Sequence, residues 1–132
     1  MVVNHWLEPA VSNPVLFVTN DFGPRAGGIE TFIIGLIQRR PYGQTIVYTS
    51  SQEGSEQFDA EWLANYGVRV IRDRSKILLP TPRVARHLKK IICKEGITTA
   101  AFGAAAPLGL LSAGMKGAGV LRTVALTHGH EV

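Results

Sequence analysis

The segment Thr127-His128-Gly129-His130-Glu131 sets two imidazoles and a carboxylate at the end of a β-branched run, Arg122 to Thr127. A His-x-His pair with a glutamate is the start of a metal set. His5 and His87 stand in unrelated contexts, however, so the spacing offers no third strong ligand and no metal is expected. A histidine at the carboxyl end of a strand suits a different task, a hydrogen bond to a bound substrate, and His128 is the candidate for it. A histidine that only caps its loop is the competing reading.

A second place for chemistry is the loop Asn20-Asp21-Phe22-Gly23-Pro24-Arg25-Ala26-Gly27-Gly28, which follows the apolar run Val15 to Asn20 and precedes a helical pattern. A helix N-terminus at the carboxyl edge of a sheet presents free N–H groups and a positive dipole end to an anion, and Gly27-Gly28 lets a phosphate approach the backbone closely. The loop has neither the G-x-G-x-x-G of a dinucleotide site nor the Gly-Lys-Ser/Thr of a P-loop. Two glycines easing a tight strand-to-helix turn remain the alternative.

The third is a cationic helix face. Arg83, Arg86 and Lys90 fall at i, i+3 and i+7, with Lys89 and Lys94 beside them. Between Arg72 and Lys94 eight basic residues stand against Asp73 alone, a local charge of +7 in a chain of net +4, so the remainder carries −3. A solvated face is the ordinary explanation. Among anionic partners a membrane ranks above nucleic acid, because no aromatic residues interleave the charges for base stacking.

The elements that must position these residues follow from periodicity. Five short runs read as strands: Val15 to Asn20, Gln44 to Thr49, Val68 to Ile71, Thr98 to Phe102 and Arg122 to Thr127. They begin about 23 to 30 residues apart with helical patterns between, the spacing of βα units, and they lack strict alternation, as strands covered on both faces do. Ile29, Phe32, Ile33, Leu36 and Ile37 make one apolar helical stripe. Glu53 to Asn65, with Phe58, Trp62 and Leu63, predicts a second helix stopped by Gly67. Pro80-Thr81-Pro82 opens a third that runs to about Glu95 with Val84, Leu88, Ile91 and Ile92 inward, and Pro107 to Ala118 a fourth. The fold class is α/β, a Rossmann-like parallel sheet with helices on both faces.

The 132 residues suffice for one domain with a core of its own, here residues 14–132. At 45% hydrophobic and 18% charged the chain is globular and not disordered. Cys93, the lone cysteine, cannot staple the fold and, beside Ile91 and Ile92, reads as a buried thiol in a reducing compartment. The uncharged stretch Ile97 to Met115 is broken by Gly103, Pro107, Gly109 and Gly114 and reads as a strand and a small-residue helix, not a membrane span. Residues 1–13 carry no periodicity and no signal-peptide pattern and are expected to be a disordered extension. The chain stops at Val132 with no helix pattern to cover the last strand, so it is expected to be truncated.

Taken together, Val15-Leu16-Phe17-Val18-Thr19-Asn20-Asp21-Phe22-Gly23-Pro24-Arg25-Ala26-Gly27-Gly28-Ile29-Glu30-Thr31, Leu79-Pro80-Thr81-Pro82 and Thr127-His128-Gly129-His130-Glu131 resemble the N-terminal half of a GT-B glycosyltransferase of retaining family 4. The likeness covers Val15 to Val132 and is greatest to the actinobacterial mannosyltransferases of phosphatidylinositol mannoside synthesis. It implies transfer of mannose from GDP-mannose to phosphatidylinositol monomannoside, a glycolipid acceptor, at the inner face of the plasma membrane, by a peripheral cytoplasmic protein with no metal or other cofactor. It makes Gly27 and Gly28 the loop near the donor diphosphate and His128 the contact to the donor sugar beside the reacting carbon, with His130 a lesser substitute. Asn20 and Asp21 become candidates for acceptor contact, and Arg83, Arg86, Lys89 and Lys90 the membrane-facing group. The family's second, nucleotide-binding domain has no counterpart in these residues, so the resemblance implies an acceptor-side half that does not turn over alone.

Two readings compete. A receiver module needs an acidic cluster after strand one and a lysine ending strand five, whereas Asp21 stands alone and strand five ends in Thr127-His128. A flavodoxin-like or non-catalytic lipid-binding α/β module fits the same element spacing.

Overall fold

A computed structural model of the chain describes residues 14–20, 22, 34–103, 119–120 and 122–126. Five strands, β1 (Val15–Val18), β2 (Thr45–Thr49), β3 (Arg69–Arg72), β4 (Thr99–Gly103) and β5 (Arg122–Leu126), form one sheet in the order β3-β2-β1-β4-β5, every neighbouring pair parallel. The order separates two of the readings above. A flavodoxin-like or receiver module has its first strand between the second and third; here β1 is flanked by β2 and β4, as in a Rossmann half, with the switch point between β1 and β4.

Register explains the missing alternation in the sequence. Along β1, Leu16 and Val18 face one way and Phe17 the other; in β2 Ile46 and Tyr48 oppose Val47, and in β4 Ala100 and Phe102 oppose Ala101. Each set enters its own core. The first is closed by α2 (Pro82–Glu95) through Val84, Leu88, Ile91 and Ile92, the second by Ile37 from the helical residues 34–38 and by Trp62 of α1 (Ser55–Tyr66). Aromatic edges lock the second core: Trp62 lies 5.1 Å from Phe22 and 4.7 Å from Tyr66, centroid to centroid.

Local chemistry sets the helix ends. Thr81 accepts a hydrogen bond from the Val84 N–H at 3.3 Å, Pro82 occupies the first turn where no N–H is needed, and Ile97 N–H closes on Ile92 O at 3.1 Å past a left-handed Gly96. α1 stops at Gly67, with φ of 67°. A Cβ there would lie 2.5 Å from Gly43 N, so only glycine lets the turn after α1 pass the β1-to-β2 connection.

The observed elements follow the predicted ones with shifts of one to two residues, and one expectation fails. Cys93 is exposed. The stripe Leu88, Ile91, Ile92 faces the sheet, and one further residue turns the chain 100° away from it, so adjacency to two isoleucines did not carry the thiol inward. Leu63 is likewise exposed, while Trp62 beside it is buried. The predicted helix Pro107 to Ala118, residues 1–13 and most of the predicted first helix lie outside the described residues. No helix among the described residues is long and apolar enough to cross a membrane.

Candidate functional site

The carboxyl edge of the sheet carries the chain from β1 into its glycine loop and from β3 into α2. The second connection, residues 73–81, has a long way to go. Because β3 lies outside β2 and the next strand, β4, lies beyond β1, it leads into a crossover that traverses the sheet and passes the switch point.

Asp73 holds the start of that connection. Its N–H donates to Thr49 O at 2.8 Å, extending the ladder with β2, and its carboxylate is 1% exposed. Five donors converge on it. Oδ1 accepts from the Tyr48 hydroxyl at 3.2 Å and Arg83 Nη1 at 2.5 Å, and Oδ2 accepts from Arg83 Nη2 at 3.0 Å, the Ser75 N–H at 3.0 Å and the Ser75 hydroxyl. The bidentate Arg83 guanidinium, ahead of the Ser75 bonds, holds the Asp73 carboxyl far below the ordinary carboxylate range. Burial, reinforced by that negative neighbour, pushes the Tyr48 phenol well above its usual value, so Tyr48 remains a donor. His87 Nδ1 lies 3.0 Å from the same hydroxyl, its ring set edge-on to the Tyr48 ring. With the phenolic hydrogen committed to Asp73, an Nδ1–H tautomer of His87 completes the chain of donors.

Farther along, Leu78 is a plug between exposed neighbours. Its side chain is fully buried in the α2-side core, while Ile77 and Leu79 are 63% and 50% exposed. Both main-chain groups of Leu78 are taken by one side chain from the end of β1: Asn20 Oδ1 accepts from Leu78 N–H at 2.7 Å, and Asn20 Nδ2 donates to Leu78 O at 3.2 Å.

The site residues anticipated from sequence are therefore placed unequally. Asn20 stands at the carboxyl end of β1 with its amide engaged by Leu78. Arg86, Lys89 and Lys90 are exposed on α2, whereas Arg83 on the same helix is half-buried and turned onto Asp73. Arg72, from the same basic run, is bidentate to Asp59 at 2.9 Å and also donates to Ser50 O, pinning α1 to β3. The cationic surface then consists of Arg74 and Lys76 in the connection and Arg86, Lys89, Lys90 and Lys94 on α2. Asp21, Gly27, Gly28, His128 and His130 lie outside the described residues. Tyr48, Asp73 and His87 escaped the sequence reading; the one signal was a single acid inside a run of bases.

No protein-family model matches the chain. Similar proteins have been named. The chain is 44% identical over 121 residues to the GDP-mannose-dependent alpha-(1-6)-phosphatidylinositol monomannoside mannosyltransferase of Mycolicibacterium smegmatis, a match that takes in 89% of this chain and 31% of that protein. The protein of that name from Mycobacterium tuberculosis is 43% identical over 122 residues, again 89% and 31%. A GDP-mannose-dependent monoacylated alpha-(1-6)-phosphatidylinositol monomannoside mannosyltransferase of Corynebacterium glutamicum is 38% identical over 123 residues, 93% of this chain and 32% of that one. The chain spans about a third of the length of these relatives, and over some nine-tenths of its own residues it is a homologue of the actinobacterial phosphatidylinositol monomannoside mannosyltransferases.

Proposed function

We propose that the chain is the acceptor-side part of a mannosyltransferase that moves mannose from GDP-mannose to phosphatidylinositol monomannoside. The observation that carries this is identity of 38% to 44% across about nine-tenths of the chain to proteins named for that reaction. The strand order supports it as well, since a Rossmann half binds ligands outside the carboxyl ends of its strands, where Asn20 and residues 73–81 lie. The nucleotide, in this reading, is held mainly by residues outside this stretch.

In this reading Gly27 and Gly28 admit the donor diphosphate and His128 hydrogen-bonds the mannose as charge develops at its anomeric carbon. Asp21 belongs to the acceptor entrance with Asn20. Basic side chains and helix N-termini offset the leaving diphosphate, so no metal or other cofactor takes part. The protein works as a peripheral cytoplasmic one at the inner face of the plasma membrane. Exposed Arg86, Lys89 and Lys90 meet the anionic lipid, and Arg83, turned onto Asp73, contributes to that face through the position it gives α2.

The test is a chimera in which this chain replaces the matching stretch of the Mycolicibacterium smegmatis relative. Transfer of labelled mannose from GDP-mannose to phosphatidylinositol monomannoside is expected, and the 132-residue chain alone should show none. A soluble chimera that is inert, or a lone chain that transfers mannose, sinks the reading.

A further inference from the structure

We propose that Asn20 is a positioning residue, a side-chain clip that couples the end of β1 to the β3-to-α2 connection. The inference rests on the acceptor-side reading for its functional consequence and on geometry for the coupling. A primary amide has the donor and acceptor of a peptide group, and Asn20 uses both on the two polar groups of Leu78, at 2.7 and 3.2 Å, across 58 residues of sequence. This is the pairing a neighbouring strand would supply, made where β1 has ended.

The other anchors of the connection come from its own side of the sheet. Asp73 is held by Thr49 of β2 and Arg83 of α2, Ser51 N–H donates to Ser75 O at 2.8 Å, and Thr81 caps α2. Each fixes the connection to β2 or to α2. The Asn20 clip fixes it to β1, the strand that borders the switch point and leads directly into Asp21 to Gly28. Leu78 is fully buried between two exposed apolar residues, so the clip sets the depth of the connection at its midpoint. An Asn20 occupied in this way acts on the acceptor through the connection it holds.

The experiment uses the isotope-labelled chain, Asn20→Ala, Asn20→Asp, and a variant whose Leu78 peptide N–H is replaced by an ester oxygen, which keeps the leucine side chain in the core. Asn20→Ala should speed hydrogen exchange at Leu78 N–H about 10-fold, the loss expected for one internal hydrogen bond, with Phe17 and Val47 still protected. Asn20→Asp keeps the acceptor and should keep that exchange slow. The Leu78 ester, which keeps the bond from Asn20 Nδ2 to Leu78 O, should shift the amide resonances of Asp21 to Gly28, and adding Asn20→Ala, which removes that bond too, should move them further in the same direction but by less than Asn20→Ala does alone. Unchanged exchange at Leu78, or ester effects confined to residues 74–81, overturns the coupling.

A second arm titrates deacylated phosphatidylinositol monomannoside, the soluble headgroup. Both Asn20→Ala and the Leu78 ester are expected to weaken it, Asn20→Ala the more because it removes both hydrogen bonds. Weakening by Asn20→Ala with the ester silent makes Asn20 a direct contact and overturns the positioning role. If the ester couples the loops while the wild-type chain ignores the headgroup, the clip stands and the acceptor-side reading falls.

Discussion

Arg83 closes on Asp73 through two hydrogen bonds, Nη1 to Oδ1 at 2.5 Å and Nη2 to Oδ2 at 3.0 Å, and Asp73 has almost no contact with solvent. The pair ties the first turn of α2 to the end of β3. Asp73→Ala removes the acceptor of five hydrogen bonds, and although the Tyr48 hydroxyl can turn to His87 Nδ1, Arg83 loses its bidentate partner; loss of charge-assisted bonds of that kind costs about 1.5–3 kcal/mol each. The urea midpoint should fall accordingly, while Asp73→Asn, which can still accept from Tyr48, should lose less.

The same carboxylate sets an acid limb. Its folded-state affinity for protons is depressed by Arg83, so its contribution to stability is complete above the unfolded carboxylate range near pH 4. It is lost as pH falls toward the lower folded value. Urea midpoints between pH 6 and pH 2.5 should therefore drop more steeply for the wild type than for Asp73→Asn, which has no proton to take up there. Parallel acid limbs for the two proteins would show that Asp73 is not the group responsible.

Arg86, Lys89 and Lys90 are exposed on α2 at i, i+3 and i+4, and none of them takes part in an ion pair among the described residues, so reversal to glutamate breaks none of those pairs. Each basic residue near an anionic bilayer contributes about 1 kcal/mol, screened within a Debye length. The triple reversal should abolish sedimentation with phosphatidylinositol-containing vesicles at low salt and leave the urea midpoint nearly unchanged. Arg83→Glu should do the opposite first, destabilising the fold by setting two carboxylates face to face. Vesicle binding that survives the triple reversal returns the face to ordinary solvation.

The fold was largely legible because parallel strands buried on both faces leave short apolar runs and βα spacing, and because Thr81-Pro82 and Gly96 bound α2 with recognisable caps. What escaped needed three-dimensional placement. Tyr48, Asp73 and His87 come from β2, the end of β3 and α2, and nothing in their spacing foretells that the register Tyr48↔Ile71 sets the phenol near the carboxylate. For the same reason the basic run read as a uniform patch: Arg72 and Arg83 look like Lys89 until Asp59 and Asp73 are seen against them. Asn20 was picked out by its position at the end of β1, and its partner, Leu78, is a main chain with no side-chain signature.

Gly67→Ala should be among the most damaging single changes outside the core. At φ of 67° a side chain costs roughly 1–2 kcal/mol by itself. Its Cβ would also meet Gly43 N at 2.5 Å and the Tyr42 ring at 2.7 Å, contacts that force the β1-to-β2 connection away from α1. Gly119, at φ of 122° with open space around it, bears only a backbone penalty. Thermal denaturation of the two alanine variants should rank Gly67 clearly worse, and equal midpoints would mean that the β1-to-β2 connection gives way freely.

In a transfer-competent chimera containing this chain, His128→Ala should reduce kcat far more than it weakens GDP-mannose binding. β5 ends at Leu126, and β4, its neighbour, borders the switch point, outside which a Rossmann half takes its ligand. A hydrogen bond to the sugar there strengthens as charge builds on the anomeric carbon, and removing one such preorganised donor costs on the order of 100 to 1000-fold in kcat. His130 is two residues farther along the sequence, past Gly129, a residue type that weakens extended strand. His130→Ala should accordingly keep most of the rate. Steady-state kinetics with both variants separates the two imidazoles: a normal His128→Ala with an inactive His130→Ala transfers the role to the second histidine.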